Sequence, residues 1–366
     1  MTESSESKGL SGNKGEWSEV YTLLKLVSDK KLFPGDARLK SILGFCYPIL
    51  EIIRSNKLGD VRYRIKEMTV ELISGDETKS VDLETFTLKA IELFTSIKSL
   101  KSSEAIPSLD DFLNDIFVTT MKAKSSSKTD IRIMVHDVKT GLTPTLGFSI
   151  KSELGDASSL LNASKATNII YRLGGSLPNQ DLMQAVNAID SKNFLKDRVN
   201  YMLEAGHTLQ FSNCEDRTFE NNLILIDSRL PEILAALLLV SYQYGIRNLH
   251  DCLEMITKAN PIGYDVSTIH PYYSYKIKKL LVEIAVGMTP KSPWDGIHDA
   301  TGGFIIVKTT GDLVCYHVIE RNSFEDYLLM NTKFETASTS RHGFGLVYPS
   351  GDGYCFKLNM QIRFLG

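Results

Sequence analysis

Two short segments constrain the chain more than any others: DIRIMVHDV (130–138) and LGFSIKSELG (146–155), joined by the turn KTGLTPT. In the first, Ile131, Ile133, Val135 and Asp137 share one face. In the second, Leu146, Phe148 and Ile150 alternate with Gly147, Ser149 and Lys151. Alternation of period two marks a strand with one buried face. Two such strands joined by a turn make an antiparallel hairpin. The second strand's other face carries Ser149 and Lys151, and Glu153 if the strand runs on. A hairpin centred near Thr143 puts Asp137 opposite Ser149, with Lys151 as the diagonal neighbour. Directly opposed partners lie ~5 Å apart at Cβ. An acid and a lysine are thus expected side by side on rigid backbone.

The rest of the sequence sets the frame for that pair. With 366 residues, the chain can form one large domain or two ordinary ones, each with a sizeable core. Hydrophobic residues make up 43% and charged residues 23%, an ordinary soluble composition. The net charge of −3 argues against a protein that simply coats nucleic acid, while leaving room for a local basic groove. The five cysteines, Cys46, Cys214, Cys252, Cys315 and Cys355, form no CxxC pair. That excludes a zinc-finger or disulfide framework and fits a reducing cytoplasm. The longest apolar run, ILAALLLV (233–240), is too short to span a membrane. MTESSESKGLSGNKG lacks the apolar core of a signal peptide, and residues 1–14 are expected to form a disordered tail.

Helical spacing of Trp17, Val20, Tyr21, Leu24 and Val27 predicts a helix over 16–29, stopped by LFPGD, with Glu16 and Glu19 near its start. YPILEIIR, VRYRI and MTVELI read as strands. Helices are expected over 84–99 and from an N-cap at Ser108. AKSSSKTD (123–130) reads as a polar loop, and 158–173 as a loop entering a helix or a strand. The middle of the chain is largely helical. Two hairpins follow, around Thr310-Gly311 and around SGDG. The final strand should run unbroken from Tyr354 to Phe364, with Cys355, Lys357, Asn359, Gln361 and Arg363 on its polar face.

An acid and a lysine on paired strands suit phosphodiester hydrolysis. The Asp137 carboxylate, with the backbone carbonyl of Ile150, can hold a hard cation such as Mg²⁺. The metal activates water and stabilises phosphate charge, and the Lys151 ammonium orients the water. The usual pattern, Asp…(Asp/Glu)-x-Lys, has an acid where this chain has Ser149. Glu19, Glu16 or Glu153 would have to supply the missing carboxylate. On spacing alone, a solvated hairpin face gives the same pattern.

NKGEWSEVYTLLKLVSDKKLF, GFSIKSELG…SSLLNASKATNIIY and STSRHGFGLVY…YCFKLNMQIRF, in collinear order from about residue 13 to 366, resemble the opening, centre and end of the HpaII-type restriction endonucleases. The resemblance implies an α/β fold: a PD-(D/E)xK-like nuclease core with a mixed sheet flanked by helices, then a helical middle region and a β-rich C-terminal part. It implies Mg²⁺-dependent cleavage of double-stranded DNA at CCGG, with Asp137, Lys151, Ser149 and Glu19 as catalytic positions. Asp137 and the Ile150 carbonyl, with Glu19 or Glu153, are the metal ligands expected from the residues themselves. A companion DNA methyltransferase would protect the same site in a cytoplasmic host, and a symmetric site suits a homodimer. The nuclease core is expected over 15–210 and the recognition region over 211–366.

Arginine is the common reader of guanine, and Asn or Gln of adenine. Arg341 and His342 precede a strand and are expected at a groove, with Lys357 and Gln361 along the final strand. Asn162, Ser164 and Asn168 follow the Lys151 strand and suit phosphates or bases. Capping, turn formation or a solvated strand face would equally explain these residues. The competing functions are a binding protein of the same fold that has lost cleavage, and an unrelated hydrolase using Asp137, His136 and Glu153.

Overall fold

The computed structural model describes residues 9–56, 59–121, 129–138, 140–175, 179–317 and 320–365. The expectations for residues 1–8 and for most of the loop 123–130 fall outside these. The chain divides into two compact units. One comprises residues 1–158 and 298–327, and the other 159–297 and 328–365. The boundary anticipated near residue 210 falls inside a strand of the second unit, His207–Cys214.

The first unit is organised by a nine-stranded mixed sheet. Its order is Lys31–Pro34, Leu313–His317, Gly303–Val307, Thr145–Ser152, Ile131–Val135, Tyr47–Asn56, Gly59–Ile65, Thr69–Ser74 and Glu77–Asp82. Lys31–Pro34 also pairs with Tyr47–Asn56, so the first six strands form a closed circuit. The Thr145–Ser152 strand lies in the interior, parallel to Gly303–Val307 and antiparallel to Ile131–Val135. A strand paired on both edges is a rigid platform for side chains at its end.

The helix Lys14–Asp29 forms as the apolar spacing requires. Asn13 caps it, accepting from the Glu16 backbone N–H at 3.0 Å, while Glu16 Oε2 accepts from the Asn13 N–H at 2.8 Å. This reciprocal pair satisfies two backbone donors that a helix start otherwise leaves open. Trp17, Val20, Leu23, Leu24 and Val27 enter the same core as Ile52, Ile133, Phe148 and Ile305. Trp17 Nε1 also donates to the Glu104 carbonyl at 3.0 Å, so the indole is buried without an unmet donor. Ser11–Gly12 pairs with Glu104–Ala105, so residues 9–14 are ordered, contrary to the expected tail. The helix expected from Ser108 is shorter than predicted. A 3-10 turn, Pro107–Leu109, leads to a helix of six residues, Asp110–Asp115.

The second unit holds a four-stranded sheet in the order His207–Cys214, Asn168–Gly175, Gly353–Asn359 and Val347–Ser350. It also has a three-stranded sheet, Ser159–Leu161, Ile362–Phe364 and Thr332–Phe334. Its helices include Phe194–Glu204, Leu230–Tyr244, Leu249–Ala259 and Tyr272–Val286. The long final strand is broken at Met360–Gln361, and its two halves serve different sheets. Among the described residues, no helix is long and apolar enough to cross a membrane.

Candidate active site

The register of the hairpin decides which acid meets Lys151. Ile131 pairs with Phe148, Ile133 with Leu146, and Met134 with Thr145. Asp137 therefore lies in the turn, where its N–H donates to the Leu142 carbonyl at 2.9 Å and its carbonyl accepts from Gly141 at 2.7 Å. Its carboxylate accepts the Thr140 hydroxyl at 2.8 Å. Asp137 is not the partner of Lys151. Seven residues of extended chain, roughly 20 Å, separate it from the residue that is.

That residue is Asp130. Its Oδ2 accepts from the Ile150 N–H at 2.6 Å and from the Ser149 hydroxyl at 3.1 Å. Lys151 Nζ donates to the Ser149 Oγ at 3.0 Å and lies over the Phe304 ring, 5.3 Å from its centroid. Ser149, in the position where the pattern has an acid, thus links the ammonium to the carboxylate. Burial raises the Asp130 pKa, against the lowering effects of Lys151 and the two hydrogen bonds. Burial lowers the Lys151 pKa, against the raising effects of Asp130 and Glu19. Each group opposes the other's discharge, which suits a pair held ready for a cation and a phosphate.

Parity in the sequence pointed to Asp130. If Ile131, Ile133 and Val135 face the same core as Leu146, Phe148 and Ile150, the opposite face must carry Asp130 with Ser149 and Lys151. A register displaced by an odd number of residues turns every side chain to the other face. Centring the hairpin at Thr143 made that displacement and exchanged one aspartate for the other.

The three acids weighed for the missing carboxylate also separate. Glu16 is used by the helix cap. Glu153 Oε2 accepts from the Thr309 N–H at 3.2 Å and its own N–H donates to the Val307 carbonyl, so it secures a turn. Glu19 lies within electrostatic reach of both Lys151 and the buried Arg54 guanidinium. Its helix is tied to the end of the Lys151 strand by the Ser18 and Ser152 hydroxyls, 2.8 Å apart.

The oxygen donors at this place suit a hard cation. On a strand, the N–H and C=O of one residue point to the same edge. The Ile150 N–H faces Asp130, so the Ile150 carbonyl faces that edge too, beyond the end of the Ile131–Val135 ladder. Among the described residues, no group of three or more His, Cys, Asp or Glu side chains could hold a metal ion. Mg²⁺ does not need such a cage, since it commonly takes one or two carboxylates with substrate phosphate and water.

In the second unit, Asn162, Arg341, His342 and Gln361 line one open cleft of about 510 Å³, together with Glu335, Ser338 and Arg363. The other expected DNA contacts, Asn168, Ser164 and Lys357, are engaged by other residues of the protein. Asn168 is fully buried, donating to Glu215 Oε2 at 2.6 Å and to the His342 carbonyl at 2.8 Å. It accepts from the equally buried Asn359 at 2.6 Å. The Ser164 N–H donates to Thr167 Oγ1 at 3.1 Å, and the Ser164 carbonyl accepts from Asn359 at 2.8 Å. Lys357 pairs with Glu215 at 3.0 Å and lies over the Tyr348 ring. A short polar residue after a strand serves a buried network as readily as a ligand, and the sequence pattern is the same for both.

The family profile described as HpaII restriction endonuclease matches residues 13–364. The chain is similar to the type II restriction enzyme HpaII of Haemophilus parainfluenzae, at 44% identity over 359 residues, covering 97% of this chain and 99% of that protein. No solved structure matches it. The chain belongs to the HpaII restriction endonuclease family.

Proposed function

We propose that this member of the family cleaves both strands of DNA at a short specific site, CCGG, with Mg²⁺ as cofactor. The reaction centre is Asp130, Ser149 and Lys151, with Glu19 as the helix-borne acid. The observation that carries the reading is the chain of hydrogen bonds from Lys151 through Ser149, on one strand, to Asp130 at the start of the neighbouring one. The first unit is then a PD-(D/E)xK-like nuclease core, and the second unit carries recognition through Asn162, Arg341, His342 and Gln361.

Asp130, Glu19 and the Ile150 carbonyl would hold the ion, which when bound supplies Lewis-acid stabilisation of phosphate charge and a more acidic water. Lys151 orients the attacking water and offsets charge on the phosphate through its ammonium. Ser149 fixes the ammonium and the carboxylate relative to each other. Phe304 excludes water from one side of the ammonium and strengthens its field. A CCGG site is two-fold symmetric, which suits a homodimer. The protein acts in the cytoplasm, beside a methyltransferase that protects the same sites.

The test is incubation of the protein with a fully sequenced plasmid, with Mg²⁺ and with EDTA, followed by mapping of the ends. Metal-dependent fragments ending at one short sequence are expected. A folded protein that binds the plasmid but cuts nothing would replace this reading with an inactive binding protein.

A further inference from the structure

The cleft in the second unit is built from strand ends. Asn162 follows Ser159–Leu161, Gln361 precedes Ile362–Phe364, and Glu335 follows Thr332–Phe334. Both outer strands run antiparallel to the central one, so all three residues gather at one end of the three-stranded sheet. The Glu335 N–H donates to the Gln361 carbonyl at 3.0 Å. Ser338 starts the short turn that carries Arg341 and His342. On the sheet itself, Arg363 sits between Ser159 and Lys333 across the strands. Burial, Arg341 and Lys291 lower the His342 pKa.

A cleft that only tracked phosphates would gain nothing from a carboxylate. Glu335 lines this one among two arginines. Arg247 Nη1 donates to its Oε1 at 2.9 Å, and the two also line a neighbouring cleft. One such bond uses a fraction of a carboxylate's accepting capacity. An ionised carboxylate accepts and cannot donate, so among groove edges it fits an exocyclic amino group. Adenine offers that group beside N7, an acceptor that repels a carboxylate. Cytosine offers N4–H₂ with no acceptor next to it in the major groove. Arg341, with a forked set of donors, fits the O6 and N7 of guanine.

We propose that Glu335 is a specificity-determining residue that accepts from the N4 amino group of a cytosine, with Arg341 reading a guanine from the same cleft and Arg363 and Lys333 placing the backbone. This rests on the proposed site-specific cleavage of DNA. The experiment uses short duplexes carrying the mapped cleavage site, in which each cytosine in turn is replaced by 2-pyrimidinone, which lacks the amino group. Binding to the whole protein is measured in Ca²⁺. The wild type should lose about tenfold to a hundredfold in affinity at one cytosine position. Glu335→Gln, which keeps the shape and removes the charge, should bind the unmodified site more weakly by a similar factor and be indifferent to the replacement there. Its binding to unrelated DNA should stay the same or tighten.

Glu335→Gln that still discriminates at every position would overturn the assignment, as would equal weakening on all duplexes or a mapped site without cytosine. A wild-type protein that binds no duplex selectively would instead overturn the underlying reading as well. The two failures are therefore distinguishable.

Discussion

Asp130 and Asp137 stand at opposite ends of one strand and its turn, and their surroundings differ in kind. Asp130 receives a backbone N–H and a serine hydroxyl and lies in the field of Lys151. Asp137 closes a turn, taking the Thr140 hydroxyl while its own backbone bonds to Leu142 and Gly141. Its charge also acts on the buried His317, whose pKa burial takes down to about 4 against Asp137 and Glu320. The same side chain thus does electrostatic work at one end and turn-building at the other. Register, rather than residue type, assigns the roles.

Substitution at the two ends breaks or sharpens this contrast most directly. Lys151→Ala and Asp130→Asn should each lower cleavage on the order of a thousandfold or more, with the unfolding midpoint little changed. Asp137→Ala should cleave within severalfold of wild type at matched folded concentration, yet unfold earlier by about 1–3 kcal/mol for the broken turn. Plasmid cleavage rates beside denaturant melts separate these outcomes. An inactive but fully stable Asp137→Ala would return the catalytic role to the turn.

Glu19, Glu16 and Glu153 extend the contrast to the imported acid. Glu19→Gln should lower cleavage by about a hundredfold or more, through weaker metal dependence. Glu16→Gln should cost stability of about 1 kcal/mol or less at the cap and leave cleavage alone. Glu153→Gln should resemble Glu16→Gln. The readout is the Mg²⁺ concentration for half-maximal rate, and a shift for Glu153→Gln exceeding that of Glu19→Gln would name the wrong acid.

Much of this architecture is legible in the sequence. The period-two runs at 131–135 and 145–152 and the helix 14–29 form because their apolar spacing suits a strand or a helix and nothing else nearby competes. The break at Met360–Gln361 is not legible, because alternation survives it while the strand passes from one sheet to another. Asn168 and Asn359 pair inside the protein across distant sequence, a contact that no local pattern announces. Asp130 was hidden by its position at the edge of a polar loop, although the parity of its neighbours placed it on the Lys151 face.

Acidity tests the two ends more gently. Burial raises the Asp130 pKa, so its proton is held to a higher pH in the folded, metal-free protein than in the unfolded chain. The resulting stability is present below the unfolded pKa and is lost as pH rises through the folded one. Asp130→Asn should therefore leave metal-free stability at neutral pH unchanged or slightly improved. Under the proposed mechanism cleavage runs the other way, since the ion would need the ionised carboxylate. On acidification the wild type's Mg²⁺ requirement should rise at a higher pH than an ordinary carboxyl group would give. Metal titrations between about pH 5 and pH 8 measure this, and a flat requirement across that range would contradict the burial of Asp130.

Among the residues of the proposed reaction centre, the smallest effect belongs to Ser149. It accepts from Lys151 and donates to Asp130, which in the proposed mechanism makes it a positioning residue. Ser149→Ala removes both bonds and leaves the two charges to meet directly or through water. A loss of about tenfold in cleavage is expected, from misplacement rather than from missing charge. Ser149→Glu tests whether the position can take the acid that the related pattern carries. The strand is buried here and the serine almost wholly enclosed, so the longer side chain must displace Lys151 or Asp130. Ser149→Glu should thus be less active than Ser149→Ala. The reverse order, with a lowered Mg²⁺ requirement, would mean that the position remains open to a metal ligand and that Glu19 does not fill that place.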